Sequence, residues 1–281
     1  RHPQQAQKNA PAKAGTPAGA KMDRRMDSTT DADDRQPEYI SLVDSLTREW
    51  IKLPLAVMQD CGPAAQTLGG LLKVTDKETF IETATIADRA RLPVATVRKH
   101  LVTLDARGWI HNRGRQETRR GRLRRTATIA LTAKARDNLK PYAPLPWWAC
   151  CSIKGYGKLS WAAKAVLSVV MGRLMSLKGA VEQQDGHGCD SEDVFGSIAN
   201  MGEEDRFRFS LDYLEKQTGL GRTAIVDAKC KLARMQIVAW RRYCDDNGGD
   251  LTNVLYPNEA FYVVETPAGP GRVYLHFEVQ E

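Results

Sequence analysis

The spacing of apolar residues changes several times along the chain, and each change marks an element. Beyond Glu38, the residues Tyr39, Ile40, Val43, Leu46, Trp50 and Ile51 recur every three or four positions, which predicts an amphipathic helix. A second helical stretch runs from about Pro63 to Val74. Between Glu82 and Ile110, Ile86 and Ala90, then Leu92, then Val97, Leu101 and Leu104 describe two short helices joined by a tight turn. Pro93 suits the first turn of the second helix, where its missing N–H costs nothing. Gly108 suits that helix's end. After Gly108 the period switches to two. "WIHNRG" and "RLRRTATIALT" read as strands, with Gly114 and Gly121 as the loop glycines of a hairpin between them.

The same order then returns. "FSLDYLEKQTGLGRTAIVDAKCKLARMQIVAW" aligns on the first helix pair at a constant offset of 128, with Leu92 on Leu220, Val97 on Ile225, Leu104 on Leu232 and Ile110 on Val238. Upstream, "LPLAVM…PAAQTL" (Leu53–Leu68) echoes "LPWWAC…WAAKAVL" (Leu145–Leu167) at a smaller offset, so the second copy carries extra residues before its helix pair. These fall near Gly179–Asp205, a stretch with eight acids and no Lys or Arg, which reads as an acidic surface insertion. The second copy's hairpin leaves through "VAWRRY", turns at "DDNGGD" and returns through "LTNVLYP"; Asn-Gly is a strong hairpin signal. A further hairpin, "FYVVETPAGPGRVYLHFEV", follows. Residues 1–36 hold almost no large apolar groups and predict a disordered tail. The expected organisation is therefore a tail over 1–36, a basic domain over 37–140, and a second domain over 141–281 with its insertion at about 179–205.

Charge sharpens this picture. The net charge is +7, but Gln36–Lys140 holds nineteen basic and eleven acidic residues, whereas Pro141–Glu281 holds fifteen and eighteen. The excess concentrates in "HNRGRQETRRGRLRRT" (His111–Thr126), which has seven arginines and a single acid, Glu117. A one-sided basic domain is an electrostatic footprint of nucleic-acid binding, although an acidic membrane or an acidic protein could also answer it. No apolar run approaches the length of a membrane span. The beginning of the sequence has no apolar core of a secretory signal. The six cysteines (Cys61, Cys150, Cys151, Cys189, Cys230 and Cys244) include no CxxC pair and read as reduced cytoplasmic thiols.

"TIADRARLPVATVRKHLVTLDARGWI" resembles the helix-turn-helix of winged-helix regulators, and "IALTAKARDNL" resembles the strand-to-helix exit of the MarR-type subset, with Ala135 where that subset usually has Gly. The match spans roughly residues 50–140. The "LSWAAKAVL" and "TNVLYP" segments resemble helix-turn-helix domains of plasmid and phage replication proteins, and two winged helices in one chain is the layout of many plasmid replication initiators. The resemblance implies an α+β fold, mostly α with small β-wings, arranged as two tandem winged helix-turn-helix domains.

A winged helix sets its third helix in the major groove and its wing along a backbone or minor groove. With Val97, Leu101 and Leu104 facing the core, Ala95, Lys99 and Val102 face away, Thr96 and Thr103 lie beside them, and Arg98 sits on the flank. Lys99 and Arg98 can donate to guanine O6 and N7, and Ala95 can touch a thymine methyl. In the wing, Arg113, Arg115, Arg119, Arg120, Arg122, Arg124 and Arg125 are crowded enough to repel one another unless an anion neutralises them. Arg is the residue suited to bidentate phosphate contact and to narrow minor grooves. In the second copy Arg222, Thr223, Lys231, Arg241 and Arg242 are the candidate DNA contacts, with Lys229 and Arg234 adding charge; Asp227 matches Lys99 and would face phosphate at a cost. That copy is equally a dimerisation or partner-docking module.

Enzymatic readings find little. His187 and Cys189 sit beside acids, but no second ligand pair lies near, so no metal site is expected. "GYGK" and "GLGRT" lack P-loop spacing, and His100, His111 and His276 have no adjacent nucleophile or carboxylate pattern. Trp147, Trp148 and Trp161 fall on apolar helical stretches and read as core. The expectation is a non-enzymatic, cofactor-free protein that binds double-stranded DNA, as a replication initiator on origin repeats or as a dimeric transcriptional regulator. A homodimer, and replication or transcription machinery recruited by the acidic insertion, are further partners left open. RNA is a weaker alternative, because clustered aromatics for stacking unpaired bases are missing from the pattern.

Overall fold

The computed structural model describes residues 39–41, 45, 48–73, 79–117, 121, 123–185, 194, 209–241, 254–258, 261–265 and 272–277. Tyr39, Ile40, Trp50 and Ile51 lie in strands, not in the expected helix, while Val43 and Leu46 fall outside the described residues. Strand β1 (Tyr39–Ser41) pairs with β11 (Phe261–Glu265), setting Ile40 opposite Val263. Strand β2 (Trp50–Pro54) pairs with β6 (Tyr142–Pro146), setting Ile51 opposite Leu145 and Leu53 opposite Ala143. Ile51 and Leu53 point inward and Lys52 outward, a period of two that the three-to-four spacing of the neighbouring residues concealed. Both strand partners are distant in sequence, so local periodicity carried no sign of them.

From β2 the chain enters α1 (Leu55–Cys61) and α2 (Ala64–Leu72), the latter where the Pro63–Val74 stretch predicted it. Next come β3 (Thr79–Ile81), α3 (Thr83–Ala90) and α4 (Val94–Ala106). Arg91, Leu92 and Pro93 make the tight turn. Pro93 is extended (φ −61°, ψ 142°) and stands just ahead of the first helical residue, one position earlier than expected. Strands β4 (Ile110–Glu117) and β5 (Leu123–Leu131) follow, and the sheet order is β3-β5-β4, all antiparallel. Gly121 lies between the strands as expected, but Gly114 lies inside β4, where the register slips between Asn112 and Arg115 and Asn112 Oδ1 accepts from the Gly114 N–H. Such a bulge bends and twists the strand. Thr132 caps the short α5 (Ala133–Asp137) by accepting from the Ala135 N–H.

Beyond β6 lie a 3-10 turn (Trp147–Cys150), the small hairpin β7 (Ser152–Ile153) and β8 (Gly157–Lys158), and the long α6 (Trp161–Asp185). Most of the acidic stretch lies outside the described residues; its first part, 179–185, continues α6. Then α7 (Leu211–Thr218), α8 (Arg222–Arg234), β9 (Val238–Arg241) and β10 (Val254–Pro257) repeat the earlier order, β9 and β10 pairing antiparallel. The closing hairpin of β11 and β12 (Arg272–Phe277) joins β1 on one side and β7 on the other, the last pairing being parallel.

The helix pair recurs at one spacing. Helices α3 and α4 map on α7 and α8 at the same offset of 128 read from the sequence. Trp109 N–H donates to the Leu104 carbonyl, and Ile237 N–H to that of Leu232. Gly108 and Gln236 both take positive φ in the intervening turn. The fold is thus α+β, with small sheets around packed helices. One hydrophobic core runs through both copies, from Ile51 and Leu68 past Leu104 and Trp148 to Leu174, Ile225 and Leu232. Trp148 is fully buried, while Trp147 and Trp161 are half-buried at its margin. Residues 1–36, the expected tail, lie outside the described residues.

Candidate nucleic-acid interface

Helix α4 owes its orientation to the buried Val97, Leu101 and Leu104 on one side. Ala95, Lys99, Val102 and Thr103 on the opposite side are open to solvent, as are Arg98 and, at the start of the helix, Val94; Thr96 is half-buried. Arg98, expected on the flank, is exposed. The Thr103 hydroxyl donates to the Lys99 carbonyl (3.2 Å), so part of its capacity is spent within the helix. His100 turns to the side, and its Nδ1 lies 2.8 Å from Thr67 Oγ1 on α2. Burial holds this imidazole below its usual pKa and favours the neutral ring.

The base of the β4–β5 hairpin is anchored from α1. Asp60 accepts from Trp109 Nε1 (2.7 Å), Lys134 Nζ (3.0 Å) and Arg107 Nη1 (3.3 Å). Burial alone would raise this carboxyl. The hydrogen bonds from Lys134 and Trp109 and the charges of Lys134 and Arg107 outweigh burial and keep it below the ordinary aspartate value. Lys134 also lies over the Trp109 ring, 4.3 Å from its centre, a cation–π contact. On the other side of the helix pair, Arg91 donates to Glu49 (3.1 Å), and Lys73 adds a second charge. The bond from Arg91 leads in lowering the Glu49 pKa. These ties hold the helix pair and hairpin root as one body, while Arg98 and Lys99 stay out of every ion pair among the described residues.

Of the hairpin arginines, Arg113 is exposed on β4. Arg115, Arg124 and Arg125 belong to the paired strands by backbone, and their side chains lie outside the description. Arg119, Arg120 and Arg122 fall outside the described residues altogether. The described parts of the hairpin, β4 and β5, follow α4 directly in the chain.

The second copy presents a different surface. Arg222 is bound by its own helix pair, to Asp212 and to Glu215 (3.2 Å), and the bond to Glu215 leads in raising its pKa. Thr223, Val226, Asp227 and Arg234 are exposed. Lys231 is half-buried, with Nζ 3.4 Å from the Lys158 carbonyl. Lys229, expected to add surface charge, is buried instead, and burial lowers its pKa. Its stem fills a core position of α8, next to Ala228. Arg241 is described by backbone only, and Arg242 lies outside the described residues.

Among the described residues no group of three or more His, Cys, Asp or Glu is placed to hold a metal ion. His187 and Cys189 lie outside them. Cys61, Cys150, Cys151 and Cys230 are free thiols. Burial pushes the Cys61 and Cys150 thiols up to about 11, which leaves them protonated and inert as nucleophiles at neutral pH. No described helix is long and apolar enough to cross a membrane.

Two features escaped the sequence reading. The Asp60 anchor joins residues 47 to 74 positions apart, and no local motif signals it. Val94 was passed over, although it lies four residues before Arg98 as Val102 lies four after, a spacing visible in the sequence. Compared with known protein families, curated proteins and solved structures, the chain matches none.

Proposed function

We propose that this chain is a non-enzymatic, double-stranded-DNA-binding protein of tandem winged-helix type, acting in the cytoplasm as a plasmid-type replication initiator. The observation that carries the reading is the exposed pair Arg98 and Lys99 on α4. In the chain that helix leads into a hairpin whose sequence holds seven arginines and whose root is fixed by Asp60. In this reading α4 enters the major groove, where Arg98 and Lys99 donate to guanine edges. The hairpin arginines Arg113, Arg115, Arg119, Arg120, Arg122, Arg124 and Arg125 follow the phosphates and supply affinity rather than sequence information. The second copy adds Thr223 and Lys231 to a longer site, with a smaller electrostatic share because Arg222 is already neutralised.

That same neutralisation favours a second reading, a dimeric transcriptional regulator in which the first copy binds DNA and the second mediates assembly. Selection of binding sites from randomised duplexes, followed by footprinting, separates the two. An initiator protects more than one winged helix covers, over repeated sequence. A dimeric regulator protects a palindrome with half-sites about one helical turn apart. Enrichment of no sequence at all would overturn both.

A further inference from the structure

The exposed face of α4 carries more than its two cations. Val94, Arg98 and Val102 stand at i, i+4 and i+8, successive neighbours in a row that winds gradually around the helix from its core margin to its solvent face. Val102 is 67% exposed, the most open large hydrophobic residue among those described, and Val94 is 36% exposed. The stability of the helix does not account for them. Valine is a weaker helix former than alanine or leucine, and an exposed valine buries little. The valine of α4 that serves the core, Val97, is fully buried. Single exposed apolar residues are common on protein surfaces, but two valines bracketing an exposed arginine on a helix turned to solvent make a composite surface.

The major groove of DNA presents one apolar group, the C5 methyl of thymine, beside the acceptor edge of guanine. Resting on the DNA-binding reading above, we infer that Val102 and Val94 are specificity-determining residues that contact thymine methyls on either side of the guanine addressed by Arg98. The corresponding row of α8 is Arg222, Val226 and Cys230, with valine at the centre and the cation at the end. The two rows therefore present different groups, and in α8 the cation is already bound to Asp212 and Glu215.

The test uses the full chain and the duplex obtained by selection. Each thymine of that duplex is replaced in turn by deoxyuridine, which removes only the methyl group. Affinity is expected to fall about fourfold at two positions, the effect of losing one buried methyl contact at each. Val102→Ala should bring the thymine-to-deoxyuridine ratio at one of these positions to about one, and Val94→Ala should do so at the other. Equal affinity for every substituted duplex, an undiminished ratio in Val102→Ala, or a selected site with no fixed thymine would each overturn the inference while leaving DNA binding intact. Failure to bind any duplex would instead overturn the underlying reading, and this inference with it.

Discussion

At the scale of single residues, Arg98 and Lys99 have no carboxylate partner among the described residues, unlike Arg91, Arg107 and Lys134. Arg91, Arg107 and Lys134 are spent on Glu49 and Asp60, which hold the body together. Replacing Lys99 by Ala should therefore leave stability almost unchanged and cost about 1–3 kcal/mol on the selected site, with far less loss on unrelated duplexes. Competition titrations against both DNAs read this out. His100 gives a pH signature. Its folded-state pKa lies below the unfolded value, so the unfolded chain takes up the proton first as pH falls. The His100 contribution to stability is whole above the unfolded value, near 6.5, and is lost as pH drops from there through the folded-state value. Denaturant midpoints measured between neutral and mildly acidic pH should decline in the wild type, and His100→Gln should decline less over the same interval.

At the scale of elements, close packing fixes α4 through its neighbours. A Cβ placed on Gly70 of α2 would fall 2.7 Å from the backbone nitrogen of Ala90 in α3, and one on Gly69 would fall 2.2 Å from the Lys52 carbonyl oxygen. Backbone cannot yield as a flexible side chain does, so Gly70→Ala should destabilise by roughly 2 kcal/mol or more and displace α3 together with the helix it supports. Thermal unfolding would show a lowered midpoint, and DNA affinity would drop although Gly70 is buried. The helices of both copies were legible in the sequence because their core residues repeat locally: Val97, Leu101 and Leu104 in one, Ile225 and Leu232 in the other. The strands β1 and β2 were not legible, because their partners lie at β11 and β6 and the apolar spacing from Tyr39 to Ile51 also suits a helix. The outward row of α4 could be drawn from helical geometry alone. Which cations remain unspent could not, since Arg222 and Lys229 look as available in the sequence as Arg98 does. Only the approach of Asp212 and Glu215, and the burial of Lys229, distinguishes them.

At the scale of the whole molecule, the two copies share one core and meet backbone to backbone. Gly219 ends α7 in the left-handed region, and a Cβ there would lie 2.7 Å from the Gln59 Cα of α1. Gln59 Nε2 also donates to the Lys216 carbonyl in the last turn of α7. The wild type should therefore unfold in a single transition. Gly219→Ala, which adds left-handed strain of about 1–2 kcal/mol to a backbone clash, should lower the midpoint and broaden or split that transition in calorimetry. On the DNA-binding reading proposed above, a fixed relation between the two copies would also hold α4 and α8 to one register on a continuous duplex. The claim on which everything rests, that a cationic hairpin beside α4 grips the duplex backbone, is tested by binding affinity measured across a salt series. If six of the hairpin arginines each neutralise a phosphate, log affinity should fall with log salt at a slope of roughly −5, and replacing Arg119, Arg120, Arg122 and Arg124 by Ala should flatten that slope by more than half. A slope near zero in the wild type, or one unchanged in the four-arginine variant, would contradict the account.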